Sequence, residues 1–245
     1  MLGRMSLGLV ALCVDASNPL VLARFWADAL RWEVGDETDG RVTLRPTDGT
    51  RFRMDFSPAP TPKVGPNRHH LDLTTVSLDD QQDSAARLVE LGGRHIDIGQ
   101  RPEEGHIVLA DPEGNELCLI APGNKFLAGC GRLGAISCDG TREVGYFWSA
   151  ALGWPLVWDQ DGETAIRAPD DTGPKITWGG PPVAPKLGKN RLHLEVAPID
   201  HAARPSEVDR LVALGATRVD IGQGAADPVV MADPDGNELC VLRPA

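Results

Sequence analysis

A phrase that occurs twice is the strongest constraint on how this chain folds. ADPEGNELC, from Ala110 to Cys118, returns as ADPDGNELC from Ala232 to Cys240. Three further stretches repeat in the same order: FWADALRW at 25–32 with FWSAALGW at 147–154, PKVGPNRHHLDL at 62–73 with PKLGKNRLHLEV at 185–196, and RLVELGGRHIDIGQ at 87–100 with RLVALGATRVDIGQ at 210–223. The partners lie 122 or 123 residues apart (147 − 25 and 185 − 62), which is too long for a solenoid unit and indicates a duplicated domain.

The repeat divides the 245 residues into two similar halves. We place the first domain at 1–123 and the second at 131–245, with a Gly-rich linker at 121–131. Each domain divides again into two modules, at about 7–58 and 63–121 in the first and about 132–180 and 185–243 in the second. The four modules share one order of strand and helix signals.

Each module predicts a strand, a helix and three short strands. LGLVALCVDA from Leu7 is an apolar strand, and the stretch after it has Asn18 as a helix cap and Pro19 in the first turn. In the second module HHLDL precedes a helix that is closed by Gly92, and three strand signals follow. The pattern is βαβββ repeated four times, an α+β fold.

Composition excludes several classes of function. The formal net charge of −11 and a pI near 4.9 argue against nucleic acid and anionic membranes as partners, and favour a small neutral or cationic molecule. No apolar run is long enough to span a membrane, and no GxSxG, P-loop or GxGxxG motif follows a strand. The five cysteines include no CxxC pair, so we expect free thiols and a cytoplasmic location.

The four βαβββ modules, the NRxHL[DE] strands and the DP[DE]GNELC hairpins together resemble the vicinal oxygen chelate superfamily. This superfamily includes glyoxalases, bleomycin-resistance proteins and extradiol dioxygenases, and the likeness is strongest to its glyoxalase-like domains. The resemblance covers almost the whole chain twice. It implies two domains with cupped mixed sheets that pack on each other, but one such fold hosts many activities.

Alternation along the strands selects the candidate site residues. On HHLDL, His70 and Asp72 share a face, and on the last strand of that module Glu116 and Cys118 share a face. The resemblance implies that these faces meet over the cupped sheet. The second half offers the equivalent set His193, Glu195, Glu238 and Cys240.

In metal enzymes of the superfamily the resemblance implies four ligands, one on the first and one on the last strand of each module. Here the last-strand glutamate position falls on Cys118 and Cys240, and the first strands carry no His, Gln or Glu. On the fourth strand Asp55 of the first half is matched with Trp178 of the second. Too few donors remain, so we expect no metal cofactor. A divalent Zn, Ni or Fe ion held by histidine, cysteine and a carboxylate is the alternative.

The tryptophans receive two interpretations. Trp26 and Trp148 lie in amphipathic helices and are expected in the core. Trp158 and Trp178 have no aromatic counterpart in the first half, so each is a candidate for stacking on a planar ligand, with a structural role equally open.

The sequence therefore predicts a two-domain glyoxalase-like protein that binds a small organic molecule in its cupped sheets. It would be a binding or resistance protein, or a metal-independent enzyme in which His70 and His193 transfer protons. The alternative is a metal-dependent lyase, isomerase or dioxygenase, in which the ion stabilises negative charge on the oxygens of the substrate.

Overall fold

The fold is described from a computed structural model, which covers residues 7–59, 63–180, 182–183, 185–199, 204–221 and 228–244. Within these residues the helices are α1 Pro19–Leu30, α2 Leu78–Glu90, α3 Arg142–Leu152 and α4 Arg204–Ala213, with a short 3-10 helix at Pro102–Glu104. The strands are β1 Leu7–Ala16, β2 Glu33–Thr38, β3 Arg41–Arg45, β4 Arg53–Pro58, β5 His69–Thr74, β6 Arg94–His95, β7 Ile107–Ala110, β8 Glu116–Ile120, β9 Leu133–Cys138, β10 Leu156–Gln160, β11 Glu163–Ile166, β12 Lys175–Trp178, β13 Leu192–Pro198, β14 Thr217–Arg218, β15 Val229–Ala232 and β16 Glu238–Val241. The order is βαβββ four times, as the sequence predicts.

The strands form two mixed sheets of eight strands each. Sheet A has the order β14-β15-β16-β13-β1-β4-β3-β2, and sheet B has the order β10-β11-β12-β9-β5-β8-β7-β6. Each sheet contains two modules, joined where their first strands pair antiparallel. The predicted α+β fold with two cupped mixed sheets is therefore confirmed.

The assignment of modules to sheets differs from our expectation that each half builds its own. Sheet A joins the first module to the fourth through β1 and β13, where Cys13 lies opposite His193. Sheet B joins the second module to the third through β5 and β9, where His70 lies opposite Ser137. Every sheet therefore takes four strands from each half of the chain, because the first strand of each module pairs across the repeat.

Local signals explain where the helices begin. The Asn18 side chain accepts a hydrogen bond from the Val21 amide at 3.3 Å, and Ser77 caps α2 by accepting from the Asp80 amide at 3.0 Å. Trp26 and Trp148, 1% and 3% exposed, lie in the core on the inner faces of α1 and α3, as predicted. None of the described helices is long and apolar enough to cross a membrane.

Alternation gives each sheet two different faces. One face packs its apolar side chains against the helices, and these side chains form a single cluster that includes residues of both sheets. On β4, Met54 and Phe56 belong to this cluster, whereas Asp55 between them points to the opposite side. We call that opposite side the open face of each sheet. The candidate polar residues of the sequence lie there.

Candidate functional site

Three side chains that the sequence singles out meet on the open face of sheet B. His70 and Asp72 lie two residues apart on β5, and Cys118 lies on β8 directly opposite Asp72. The His70 Nε2 is 3.4 Å from the Asp72 Oδ1, and one donor atom of each of the three residues lies within 4.8 Å of the others. We call His70, Asp72 and Cys118 the sheet B group. The group forms because the first strand (β5) and the last strand (β8) of the second module pair side by side, with Asp72 opposite Cys118.

The sheet B group is accessible and is held by the second half of the chain. The His70 side chain is 36% exposed and the Asp72 side chain 16%. Ser137 on β9, a residue that the sequence analysis missed, donates a hydrogen bond from its Oγ to the Asp72 Oδ2 at 2.6 Å. Asp72 is therefore fixed by a neighbour on one side and directs its other oxygen towards His70.

The two charges of this group support each other. Burial lowers the pKa of His70, but hydrogen bonds to Asp72 and Cys118 and the negative charge of Asp72 outweigh it and raise this pKa to about 10. Burial raises the pKa of Cys118, although the hydrogen bond with His70 opposes this. At neutral pH His70 is therefore an imidazolium and Cys118 a thiol.

The equivalent residues of sheet A are buried in an ion-pair network. His193, Glu195 and Cys240, which we call the sheet A group, again lie with donor atoms within 4.8 Å of one another. Here the His193 and Glu195 side chains are only 7% and 2% exposed, and the His193 Nε2 lies 4.0 Å from the Glu195 Oε1. The Arg41 guanidinium, from the first half, lies 3.5 Å from both oxygens of Glu195.

The network continues to a second buried carboxylate. Asp55, which is fully buried, accepts hydrogen bonds from the Arg53 Nε at 2.9 Å and the Thr43 Oγ1 at 2.8 Å, and the Arg41 Nη1 lies 3.3 Å away. Two buried carboxylates are stable only with such cationic partners. Arg41 was not singled out from the sequence, because its contact depends on the pairing of β1 with β13.

Protonation differs between the two equivalent histidines. Burial, together with the nearby Lys189, His69 and Arg41, lowers the pKa of His193 to about 3. Burial raises the pKa of Glu195 despite Arg41, and it raises the pKa of Cys13 and of Cys240 to about 12. His193 is therefore neutral at physiological pH, whereas His70 carries a proton.

Glu116 and Glu238, two further candidates, share a different contact. The Glu116 Oε1 accepts from the Lys63 Nζ at 2.6 Å, and the Glu238 Oε1 accepts from the Lys186 Nζ at 2.5 Å. Each lysine also donates to the carbonyl oxygen of the glycine two residues on. These glutamates fasten the repeated Lys-x-Gly-x-Asn segment to the last strand of the module, and neither belongs to a donor group.

The two tryptophan candidates lie on opposite faces of sheet B. Trp158 is half-buried on β10, with its ring 5.6 Å from that of Phe126 and with no hydrogen-bond partner for its Nε1 among the described residues. Trp178 is 1% exposed and belongs to the core beneath α3, where its ring approaches Gly145. Trp178 therefore has the structural role, one of the two that the sequence left open, and does not line the open face.

The repeated DP[DE]GN turn is fixed by the helix tryptophans. The Trp26 Nε1 donates to the Asp111 Oδ2 at 3.0 Å, and the Trp148 Nε1 donates to the Asp233 Oδ2 at 3.3 Å. Both aspartates also accept backbone hydrogen bonds within their own turns. The phrase that is written twice is thus mainly architectural, apart from its final cysteine.

The two groups differ in their fit to a divalent ion. The sheet B group offers an imidazole, a carboxylate and a sulfur atom at one accessible point, which is a donor set that zinc accepts. In the sheet A group Arg41 already neutralises Glu195 and places a cation beside it. Three donors converge in each sheet, so the expected shortage of donors is not supported, and the two groups differ in that Arg41 already pairs with Glu195 in sheet A.

The fold is shared with several known proteins. Glyoxalase I from Zea mays matches with a TM-score of 0.68 and 14% identity, over 97% of this chain and 92% of that one. A candidate dioxygenase from Bacillus subtilis matches with a TM-score of 0.65 and 12% identity, over 98% and 86% of the two chains. At these identities the likeness shows the fold alone. No curated protein matches the chain.

The sequence itself identifies the family. The model of the glyoxalase-like domain matches twice, at residues 11–120 and 135–242. These two ranges cover most of the chain and contain both donor groups. The protein belongs to the glyoxalase-like domain family and carries that domain in duplicate.

Proposed function

We propose that the protein binds a small organic molecule on the open face of sheet B, with His70, Asp72 and Cys118 as the polar part of the site. The observation that carries this proposal is the difference between the two equivalent histidines: the His70 side chain is 36% exposed and the His193 side chain 7%. An accessible polar group that can fix the orientation of a ligand is one requirement of a small-molecule site.

The chemistry of the group favours a ligand with an oxygen acceptor. The imidazolium of His70 donates a hydrogen bond to that oxygen, and Asp72 keeps the ring charged and oriented. In a metal-independent enzyme the same residue supplies a proton as a general acid. We therefore propose the proton-transfer role only for His70, because His193 is buried and neutral.

The position of Trp158 limits how it takes part. It lies on β10, four strand spacings from β5, or about 19 Å across the sheet at roughly 4.8 Å per strand. A small ligand that contacts His70 covers Ser137 and Cys118 before it approaches Trp158. Stacking on Trp158 thus requires an elongated ligand or strong curvature of the sheet.

The second candidate function is that of a metal-dependent lyase, isomerase or dioxygenase, and the convergence of three donors in the sheet B group favours it. His70, Asp72 and Cys118 would hold the ion. A divalent ion there would polarise an oxygen atom of the substrate. Binding it would require His70 to release its proton and Cys118 to become a thiolate.

One preparation decides between these functions. The protein is purified without an affinity tag or chelator, its metal content is measured, and small oxygen-bearing metabolites are titrated by calorimetry into the wild type, His70→Gln and His193→Gln. Binding that is lost only in His70→Gln, without stoichiometric metal, supports the metal-free site. Stoichiometric metal that is lost in His70→Gln supports the second function, and equal binding by all three proteins contradicts both.

The free thiols bear on the expected compartment. All five cysteines are free, and four of them are buried. We propose a reducing, cytoplasmic location, since buried thiols need no oxidising environment. Fractionation of the native host cells would test this.

A further inference from the structure

A cavity of about 510 Å³ lies where the two Lys-x-Gly-x-Asn-Arg segments of the repeat meet. Its lining includes Val64 and Arg68 from the first half and Leu187 and Arg191 from the second. No member of the sheet A or sheet B group lines it. The cavity is therefore formed by both halves and is lined by other residues than the two groups, although its Asp15 lies within 4.8 Å of His193.

Two neighbouring residues of the lining contain buried nitrogens without acceptors. Arg68 is 8% exposed, and its Nη1 donates to the Asp235 carbonyl oxygen at 3.0 Å. The Arg68 Nε has no hydrogen-bond partner among the described residues, and the Asp139 Oδ2 lies 3.7 Å from it. His69 is 5% exposed, and its Nδ1 likewise has no partner within the described chain. Buried polar atoms left in this way are costly, so an oxygen acceptor from a ligand would stabilise both.

The cationic side chains that line the cavity are balanced by carboxylates. Four cationic side chains line it against two carboxylates, a surplus of two in a protein whose net charge is −11; the residues are Lys63, Arg68, Lys189 and Arg191 against Asp15 and Asp139. From outside the lining, Glu116 pairs with Lys63 and Glu113 pairs with Arg191. With these two included, four cations face four carboxylates, so binding of a carboxylate depends on the unpartnered nitrogens of Arg68 and His69 and not on a surplus of charge.

The rim of the cavity is apolar. Val64 and Leu187 occupy equivalent positions in the two repeats, line the cavity, and are each 66% exposed. Single exposed aliphatic side chains are common on protein surfaces, but these two lie together on one cavity. A ligand with a hydrocarbon body would cover both of them while its charged end reaches the floor.

We propose that this cavity binds a compact monocarboxylate, whose carboxylate accepts hydrogen bonds from Arg68 and His69 and whose apolar body packs between Val64 and Leu187. The volume lies within the range of about 300–1,000 Å³ that is usual for small-molecule sites. This site is independent of the function proposed for sheet B.

The test is calorimetric titration of benzoate and hexanoate into the full-length protein, with benzamide as the uncharged comparison. His69→Leu is a mild variant, because the second half has Leu192 at the equivalent position. Leu187→Glu places a negative charge on the exposed rim, and Leu78→Glu, at a position that is 63% exposed, adds the same charge away from the cavity.

We expect saturable binding of at least one carboxylate, tighter than benzamide by at least about tenfold. His69→Leu and Leu187→Glu each weaken it by about tenfold, while Leu78→Glu and His70→Gln stay within about twofold of the wild type. Absence of saturation by both carboxylates at millimolar concentration, equal binding of benzamide, or a loss in His70→Gln that His69→Leu does not show would each overturn the proposal.

Discussion

The Arg41 Nη1, on a strand of the first half, lies 3.5 Å from the Glu195 Oε2, on a strand of the second half. The same guanidinium lies 3.3 Å from Asp55, so one cation serves two buried carboxylates. The contact ties the halves together across the open face of sheet A. Glu195 is the repeat equivalent of Asp72, so the carboxylate that is accessible in sheet B is paired with Arg41 in sheet A.

Removing Arg41 should destabilise the fold more than neutralising its partner. Arg41→Met leaves Glu195 and Asp55 buried with less compensation, and we expect a loss of about 2–3 kcal/mol, below the full buried-pair value because Arg41 is 40% exposed. Glu195→Gln keeps the shape and removes the charge, so its loss should be smaller. Urea unfolding at pH 7 measures both, and a larger loss in Glu195→Gln would contradict this account.

Buried neutral histidines should make the protein sensitive to acid. Burial lowers the pKa of His69 and of His193 to about 3, so below pH 6.5 the unfolded chain binds protons that the folded chain does not. Stability is therefore lost as the pH falls from about 6.5 towards 3, by about 2 kcal/mol per histidine between pH 7 and pH 5.

His69→Leu isolates one of these contributions. Carboxyl groups with raised pKa values, such as Glu195, act in the opposite direction, but they are the same in the wild type and the variant. We expect the variant to lose about 2 kcal/mol less than the wild type between pH 7 and pH 5 in urea unfolding. Identical pH dependence in the two proteins would show that His69 is not buried in its neutral form.

The opposite protonation of His70 and His193 should be visible directly. Nitrogen-detected NMR of the imidazole rings should show His70 doubly protonated at pH 8 and His193 singly protonated at pH 5. Asp72→Asn removes the carboxylate that raises the pKa of His70 and should lower this pKa by more than one unit, with His193 unchanged. A normal titration of His70 near its ordinary value in the wild type would contradict the pairing.

The tryptophans of α1 and α3 should stabilise the fold through the hydrogen bonds that their indole nitrogens donate. Trp26→Phe keeps most of the apolar volume but removes a hydrogen bond to the buried Asp111, and we expect a cost of about 1–3 kcal/mol. Trp32→Phe is the control, because its indole donates at 3.1 Å to Asp48, which is exposed and can bind water instead. Thermal and urea unfolding compare the two, and equal losses would argue against the role of burial.

Sequence patterns predict those features that depend only on residues close together in the same module. The shared face of His70 and Asp72 follows from strand alternation, and the caps at Asn18 and Ser77 follow from helix-start signals. Arg41 could not be found in this way. Its contact with Glu195 spans 154 residues of chain and depends on which first strands pair.

The error at Trp178 has a specific cause. We matched Trp178 with Asp55, but Asp55 lies opposite Cys13 and Thr177 lies opposite Ser137, so Thr177 is the structural equivalent of Asp55. A shift of one residue along a strand moves a side chain to the other face. The short fourth strands of these two modules, β4 and β12, offer no repeated letters that would fix this register.

The exchange of modules between the sheets bears on what a shorter gene product could do. The first half alone would contain four strands of each sheet, with β1 and β5 as naked edges whose amides and carbonyls lack their present partners. Two such fragments could supply those edges to each other and rebuild the same architecture as a homodimer. The covalent linker at 121–131 replaces the bimolecular association of two fragments by an intramolecular one. Because the two halves are encoded separately, their sites can differ: sheet B has an accessible polar site, and sheet A has a buried ion-pair network.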